Sequence, residues 1–253
     1  MALDPGLTFR IAPRFHCRAD WGQRLHVNGG ITRRDGGIYP RDDWQPASAE
    51  DLLRLLPNDQ AAGSAGGGTL DLLALPSHLR RAWWERAEQA EGSGAPSAGY
   101  QGFVADLLEF LRFKRLPVPD RCAADVVASR PGQASTRLDG AGRALAGFAF
   151  GRLAPGRAAP GSIVPIAVIN LGDERTHVVV LNLGIATLRV RLGASEGSDA
   201  RVLDTFLMRE SGYPLIRVNL DPGEGLWFPS PPPAFDGWTI GKDDLDVMLV
   251  LQA

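Results

Sequence analysis

The sequence is poor in the residues on which covalent cross-links and metal sites depend. It contains two cysteines, Cys17 and Cys122, which are far apart and in unlike contexts, and only four histidines among its 253 residues. Two such cysteines form neither a disulfide framework nor a thiolate metal site. We therefore expect a reduced, cytoplasmic setting, and any metal site would have to draw on few histidines.

Long apolar runs and clusters of basic charge are also absent. No apolar segment approaches the roughly 18 residues that span a bilayer, and the N-terminus lacks the basic and apolar regions of a signal peptide. The net charge is −2 and the pI is about 6.1, with basic and acidic side chains mixed. Proteins that bind nucleic acid or anionic membranes usually carry a basic face. We therefore predict neither partner.

The composition, with 44% hydrophobic and 22% charged residues, is typical of a globular protein. We predict one domain over residues 1–253, whose first part (1–120) is mixed and contains three helices. These are predicted near 48–56, 77–91 and 99–115, from capping residues and apolar residues at helical spacing. Connections rich in small residues or proline are predicted at 58–68, 92–97 and 155–161.

The second part, residues 121–253, consists mainly of short apolar segments separated by Gly, Asp and Pro turns, a pattern typical of a β-sandwich or barrel. Segments 143–150 and Thr187–Leu192 are among the predicted strands. In the latter, apolar residues alternate with Arg189 and Arg191. The sequence thus predicts an α+β protein with N-terminal helices packed against a β-barrel.

The C-terminal part of the chain resembles a known fold. Strand, turn, strand, proline loop and final strand follow in Leu215–Leu220, Asp221–Glu224, Leu226–Phe228, Ser230–Pro233 and Val247–Leu251. This order, with Pro222-Gly223 in the turn, is similar to the closing half of the double-stranded β-helix. That jelly-roll barrel is the fold of cupins and of iron/2-oxoglutarate oxygenases. The resemblance implies an oxygenase that acts on a small molecule in a bacterial specialised pathway, with Fe(II) and 2-oxoglutarate as cofactors.

Such oxygenases hold Fe(II) with two histidines and one carboxylate, and a cationic side chain binds 2-oxoglutarate. Where the second histidine is expected, this chain has the loop segment Phe235–Trp238. In one register, His177 lies on an early strand, Asp236 takes the distal position and Lys242 binds the cosubstrate.

A second register is also compatible with the sequence. His26-Val27-Asn28 would be an altered His-x-Asp motif and His177 the distal ligand. Arg189 or Arg191 would then bind the carboxylate of 2-oxoglutarate.

The segment from Trp227 to Trp238 is the best candidate for a pocket, because rigid aromatic rings at a barrel mouth suit a small ligand. We predict Trp227, Trp238 and Arg217 as substrate contacts and Asp236 as the catalytic carboxylate. One alternative is a metal-free protein of the same fold that binds a small molecule or acts as an isomerase, with a carboxylate such as Asp236 or Glu224 as base. Another is an interaction module that binds a partner protein.

Overall fold

The computed structural model describes residues 3–11, 21–34, 37–56, 68–90, 98–120, 122–136, 148–150, 165–194, 196–228 and 232–252. Over these ranges the chain is an α+β protein. Its strands are β1 (Thr8–Ile11), β2 (Leu25–Val27), β3 (Ile31–Arg34), β4 (Gly37–Pro40), β5 (Gln45–Pro46), β6 (Thr69–Ala74), β7 (Ala123–Ser129), β8 (Ala149–Phe150), β9 (Pro165–Asn170), β10 (Thr176–Val180), β11 (Ile216–Leu220), β12 (Glu224–Trp227), β13 (Ala234–Trp238) and β14 (Asp246–Gln252). Its helices are α1 (Trp21–Arg24), α2 (Ala49–Leu55), α3 (Ser77–Ala90), α4 (Ala98–Phe113), α5 (Ile185–Leu192) and α6 (Asp199–Arg209).

The strands form two six-stranded sheets and a separate hairpin of β3 and β4. The first sheet has the order β1-β6-β12-β9-β14-β7, and the second has the order β5-β2-β11-β10-β13-β8. In both sheets the described strand pairs are antiparallel, except that β1 runs parallel to β6. No described helix is both long enough and apolar enough to cross a bilayer.

Apolar side chains from both sheets fill the space between them. Leu226 of the first sheet packs in one cluster with Val178 and Val218 of the second. Phe228 and Phe235, from segments of opposite sheets, place their ring centroids 4.4 Å apart. The sheets are therefore held face to face by a packed hydrophobic core, which is the main stabilising contact of the fold.

The outer faces of both sheets are also covered. Helices α3 and α4 lie on the first sheet, where Phe103 and Leu107 pack on Ile169 and Leu249. Helices α5 and α6 lie on part of the second sheet, where Leu188, Leu203 and Phe206 join Val179 in another cluster. The central strands of the sheets are thus covered on both sides, apart from the region of the second sheet described below, whereas the edge strands β5 and β7 carry exposed residues.

The three helices predicted in the first part of the chain are present. The α2 helix begins with a capping box, in which the Ser48 side chain accepts from the Asp51 amide and the Asp51 carboxylate accepts from the Ser48 amide. The α3 and α4 helices start and end within two residues of the predicted limits. Local capping and spacing signals were therefore sufficient here.

The prediction of a strand at Thr187–Leu192 is wrong, because these residues belong to α5. The alternation does not mark one buried face: Leu188 is buried, whereas Val190 is 82% exposed. Gly193 ends the helix in the left-handed conformation (φ 61°), a common helix C-terminal cap. The α6 helix, with Ser198 as N-cap, was not predicted.

Residues 236–238 were predicted as part of a loop but belong to strand β13, all of whose residues are buried. The Asp236-Gly237 pair reads as a turn signal. Here it serves packing instead, because a Cβ atom at Gly237 would overlap the Thr136 side chain. The predicted connections at 58–67, 92–97 and 155–161, and the segment 143–147, lie outside the described residues.

Candidate functional site

Part of the outer face of the second sheet carries polar and aromatic side chains instead of apolar ones. Cross-strand pairing places Asn219, His177 and Trp238 in one row, and His26 beside Arg217 in the next. An indole from the segment before β5 lies over these rows. We call this group the polar face. Its members are His26, Trp44, His177, Arg217, Asn219 and Trp238.

Strand alternation explains why these side chains share one face. Successive residues of a strand point to opposite sides of a sheet. Val178 belongs to the core between the sheets, so its neighbour His177 points outward. Val218 belongs to the same core, so Arg217 and Asn219 point outward as well.

The Asn219 amide connects the two histidines. Its Oδ1 lies 2.8 Å from His177 Nδ1, and its Nδ2 lies 3.2 Å from the Gln23 carbonyl oxygen and 3.4 Å from His26 Nδ1. A carbonyl oxygen can only accept, so Nδ2 is the amide atom that faces Gln23. His177 Nδ1 must then donate to Oδ1, which leaves His177 Nε2 as an acceptor. His26 Nδ1 accepts, which leaves His26 Nε2 as a donor.

Both histidines are neutral at pH 7. The pKa of His177 is lowered from 6.5 to about 4, mainly by burial and then by the positive charge of Arg217, while the hydrogen bond with Asn219 acts in the opposite direction. The pKa of His26 is also lowered, first by burial and then by the charges of Arg217 and Arg175. The only fixed charge of the polar face is therefore the Arg217 guanidinium.

The Arg217 guanidinium is packed against aromatic rings and forms no ion pair with the described residues. Its Cζ lies 5.0 Å from the centre of the Trp44 ring, and Trp44 meets Trp238 edge to face at 5.6 Å. Burial lowers the pKa of Arg217, opposed by the charge of Asp42. This side chain is thus a partly desolvated cation held by stacking.

Three buried N–H groups of the polar face lack an acceptor among the described residues. They are Arg217 Nε, Trp44 Nε1 and Trp238 Nε1. A buried donor without an acceptor costs about 1–3 kcal/mol, and most such groups in native proteins are paired. Donors of this kind beside an unpaired cation suit a ligand that brings anionic oxygen atoms, such as a carboxylate.

Asp236, the predicted catalytic carboxylate, is wholly buried and already engaged. Its Oδ2 accepts from Ser135 Oγ at 2.5 Å. Its Oδ1 accepts from the amides of Thr136 and Gly237 at 3.1 and 2.7 Å. These contacts fix the segment before residue 137 to β13, and they give no support to a role as base.

The two predicted pocket tryptophans lie on opposite sides of the molecule. Trp227 is buried beneath α3 and α4 on the outer face of the first sheet, whereas Trp238 lies on the outer face of the second sheet. The structure therefore does not bring them together. Arg217, the third predicted substrate contact, lies with Trp238 on the polar face.

Lys242, predicted to bind a cosubstrate, is buried. Its Nζ donates to the Arg175 carbonyl oxygen at 3.0 Å and lies 2.8 Å from Asp246 Oδ1. The contact between Lys242 and Asp246 does not have the geometry of a hydrogen bond. Neither oxygen of the Asp246 carboxylate has a hydrogen-bond partner among the described residues. At this distance in a buried site, the two opposite charges balance each other. Lys242 is thus not a free cation.

Arg189 and Arg191, the two other residues predicted to bind a cosubstrate, lie on α5. This helix follows the C-terminal end of β10, whereas His177 lies near the N-terminal end of that strand. Arg189 donates to Asp199 Oδ1 at 2.8 Å. Arg191 donates to Asp4 Oδ2 at 2.5 Å and lies 3.4 Å from Glu210 Oε2. Both arginines therefore serve surface ion pairs.

The polar face does not match the ligand set of a two-histidine, one-carboxylate iron site. His26 and His177 are close to each other, but each directs its Nδ1 to the Asn219 amide. The carboxylate of Asp236 is tied to Ser135 and its neighbours. In the described part of the chain, no group of three or more His, Cys, Asp or Glu side chains could hold a metal ion.

Comparison with protein-family models, curated proteins and solved structures found no match.

Sequence reasoning missed two members of the polar face, Trp44 and Asn219. The alternation in the β11 segment, with Arg217 and Asn219 between apolar residues, is a signal that could have identified Asn219 as an outward-facing residue. Trp44 gives no comparable signal, because its contacts with Arg217 and Trp238 join parts of the chain that are far apart in sequence.

Proposed function

We propose that this protein is a metal-free jelly roll that binds a small organic carboxylate at the polar face. The fold part of the proposal is supported by strand order. From β7 to β14, eight consecutive strands make up β7-β14-β9-β12 in one sheet and β8-β13-β10-β11 in the other. This is the order of the double-stranded β-helix, in which the first strand pairs with the last.

The observation that carries the functional part is the group of unpaired donors at Arg217, Trp44 and Trp238. A carboxylate would accept from the guanidinium and the indoles while it neutralises a charge that has no partner among the described residues. Such charge-assisted hydrogen bonds are stronger than neutral ones. The stacked position of Arg217 over Trp44 also fixes the guanidinium before a ligand arrives, which reduces the entropic cost of binding.

The packing between the two sheets supports a site on the outer polar face. A jelly-roll enzyme would be expected to use that interior, but here the described interior is filled by aliphatic and aromatic side chains such as Val178, Val218 and Phe235. The iron/2-oxoglutarate oxygenase therefore stays a prediction without a ligand set to support it. An isomerase that uses Asp236 as base stays a prediction as well.

The remaining parts of the proposal concern the setting. We propose a cytoplasmic protein that works without nucleic acid or membrane partners. The mixed surface charge and a net charge of −2 support it. The described cysteine, Cys122, is a free thiol whose pKa is raised by burial, so it is not an activated nucleophile.

Calorimetry can test the functional proposal. Succinate and 2-oxoglutarate would each be titrated into the protein, with and without Fe(II) under anaerobic conditions. We expect binding of at least one of them without metal, and a loss of about tenfold to a hundredfold in affinity in Arg217→Met, which removes a charged hydrogen-bond donor.

Arg189→Met is the matched control, because Arg189 is the arginine that the sequence predicted for the same task. It should bind like the unmodified protein. Binding that requires Fe(II), or that is lost in Arg189→Met and retained in Arg217→Met, would contradict the proposal.

A further inference from the structure

A cleft separates α3 from the turns that join β9 to β10 and β11 to β12. Its volume is about 360 Å³, within the range of roughly 300–1,000 Å³ that small-molecule sites occupy. It borders α3, which covers the first sheet, whereas the polar face belongs to the second sheet. Its lining includes Arg80, Arg81, Trp83, Trp84, Asp173 and Gly223.

Two guanidinium groups of the cleft are not matched by carboxylates. Arg80 and Arg81, both exposed, form no ion pair with another described residue. The Arg80 side chain lies across the turn at Gly223, where an added Cβ atom would overlap it. Gly223 also has a φ of 82°, which disfavours any residue with a side chain. The absence of a side chain at Gly223 therefore leaves the space that the Arg80 side chain occupies.

The aromatic part of the lining combines a fixed ring with an accessible one. Trp83 Nε1 donates to the Leu171 carbonyl oxygen at 3.2 Å, and its ring lies 5.5 Å from that of Phe103. Trp84, the next residue on α3, is 36% exposed. The cleft thus offers an indole surface to a ligand without having to unpack the helix.

We propose that this cleft binds a planar aromatic carboxylate. The aromatic part of the ligand would stack on the Trp84 indole, and its carboxylate would pair with Arg81 and Arg80, since a guanidinium matches the geometry of a carboxylate. Asp173 is the acidic residue of the lining and opposes an anionic ligand. It therefore limits affinity, and removing its charge strengthens binding.

The probe for the test is naphthalene-2-carboxylate, with the uncharged naphthalene-2-carboxamide as its partner in shape. Both would be titrated by calorimetry into protein that carries Arg217→Met, so that the polar face does not contribute. We expect the carboxylate to bind at least tenfold more tightly than the carboxamide. Arg81→Ala should weaken carboxylate binding about tenfold, and Trp84→Ala should weaken binding of both probes.

Two further variants make the test specific. Asp173→Asn should tighten carboxylate binding about threefold and leave the carboxamide unchanged, which a merely structural role of Asp173 would not do. Arg201→Ala, at an exposed arginine of α6, is the matched control and should have no effect. Equal binding of the two probes, or the same affinity in Arg81→Ala as in Arg201→Ala, would overturn the proposal. Because the Arg217→Met background is used throughout, this result is independent of the polar face.

Discussion

The space between the sheets and the outer polar face are built from the same strands, but they satisfy their polar groups in different ways. In β10 and β11, the inward residues such as Val178 and Val218 complete an apolar core. The outward residues His177, Arg217 and Asn219 form a network that includes a cation and leaves donors without acceptors. One side of the second sheet is therefore optimised for stability, and the other is not.

This difference indicates where a ligand can act. Unsatisfied buried donors are destabilising, so they are common in native proteins only where a ligand, an ion or water completes them. The interior can be changed only at a cost in folding free energy. The polar face can be changed with effects on binding instead.

The largest expected effect is on stability, from a change in the interior. Phe235→Ala removes a ring that is fully buried and packs on Phe228 across the sheets. We expect the free energy of unfolding to fall by about 3–5 kcal/mol, measured by urea denaturation. The affinity for the carboxylate ligand of the folded protein should not change, because the ring is not part of the polar face.

Substitution of Asp236 tests whether this carboxylate has a structural or a catalytic role. Asp236→Ala leaves the Ser135 hydroxyl and the amides of Thr136 and Gly237 without their acceptor. We expect a loss of about 3 kcal/mol in the free energy of unfolding. A variant with unaltered stability would show that these hydrogen bonds do not hold the segment to β13.

The half-buried His177 of the polar face makes stability depend on pH. His177 has an ordinary pKa near 6.5 when unfolded and about 4 when folded, so the unfolded state binds the proton first as pH falls. Its contribution is fully present above pH 6.5, decreases between pH 6.5 and 4, and changes no further below that. The loss reaches up to about 3 kcal/mol.

Carboxylates titrate in the same range, so the quantity to follow is the difference in free energy of unfolding between the unmodified protein and His177→Gln. This difference should decrease as the pH is lowered from 7 to 4. His78→Gln, at an exposed histidine on α3, is the control and should show a much smaller change. A pH-independent difference for His177→Gln would argue against its burial as a neutral group.

The smallest expected effect concerns Trp44. Trp44→Phe keeps an aromatic ring near Arg217 but removes a buried N–H group that has no acceptor among the described residues. We expect stability to stay the same or to rise by up to about 1 kcal/mol, while carboxylate affinity falls about threefold. A parallel loss of both would indicate that the indole N–H has a structural partner.

How much of this could be predicted from the sequence depends on whether the signal is local. The Ser48 capping box marked α2 correctly because all its hydrogen bonds lie within four residues. The strand prediction at 187–192 was wrong because two-residue alternation can also occur on a helix, where Leu188 is buried and Val190 is exposed. Alternation alone does not distinguish these cases.

Prediction of the site from local sequence signals was even more limited. Arg217, Trp238, His26 and His177 were all candidates from the sequence, but their expected partners were not the ones found. The contact that organises the polar face, Arg217 over Trp44, depends on the pairing of β2 with β11 and on the path of the chain before β5. Such a contact is set by tertiary structure and leaves no local pattern.

The proposed carboxylate site lies outside the sandwich, on the Arg217, Trp44 and Trp238 donors. The most direct test is a titration with succinate followed by ¹⁵N-edited NMR of the indole N–H signals, assigned with Trp44→Phe and Trp238→Phe. We predict that these two signals shift together and saturate, while the signal of Trp227, buried on the first sheet, stays in place. Binding that leaves both signals unmoved, or that shifts Trp227 instead, would contradict the account.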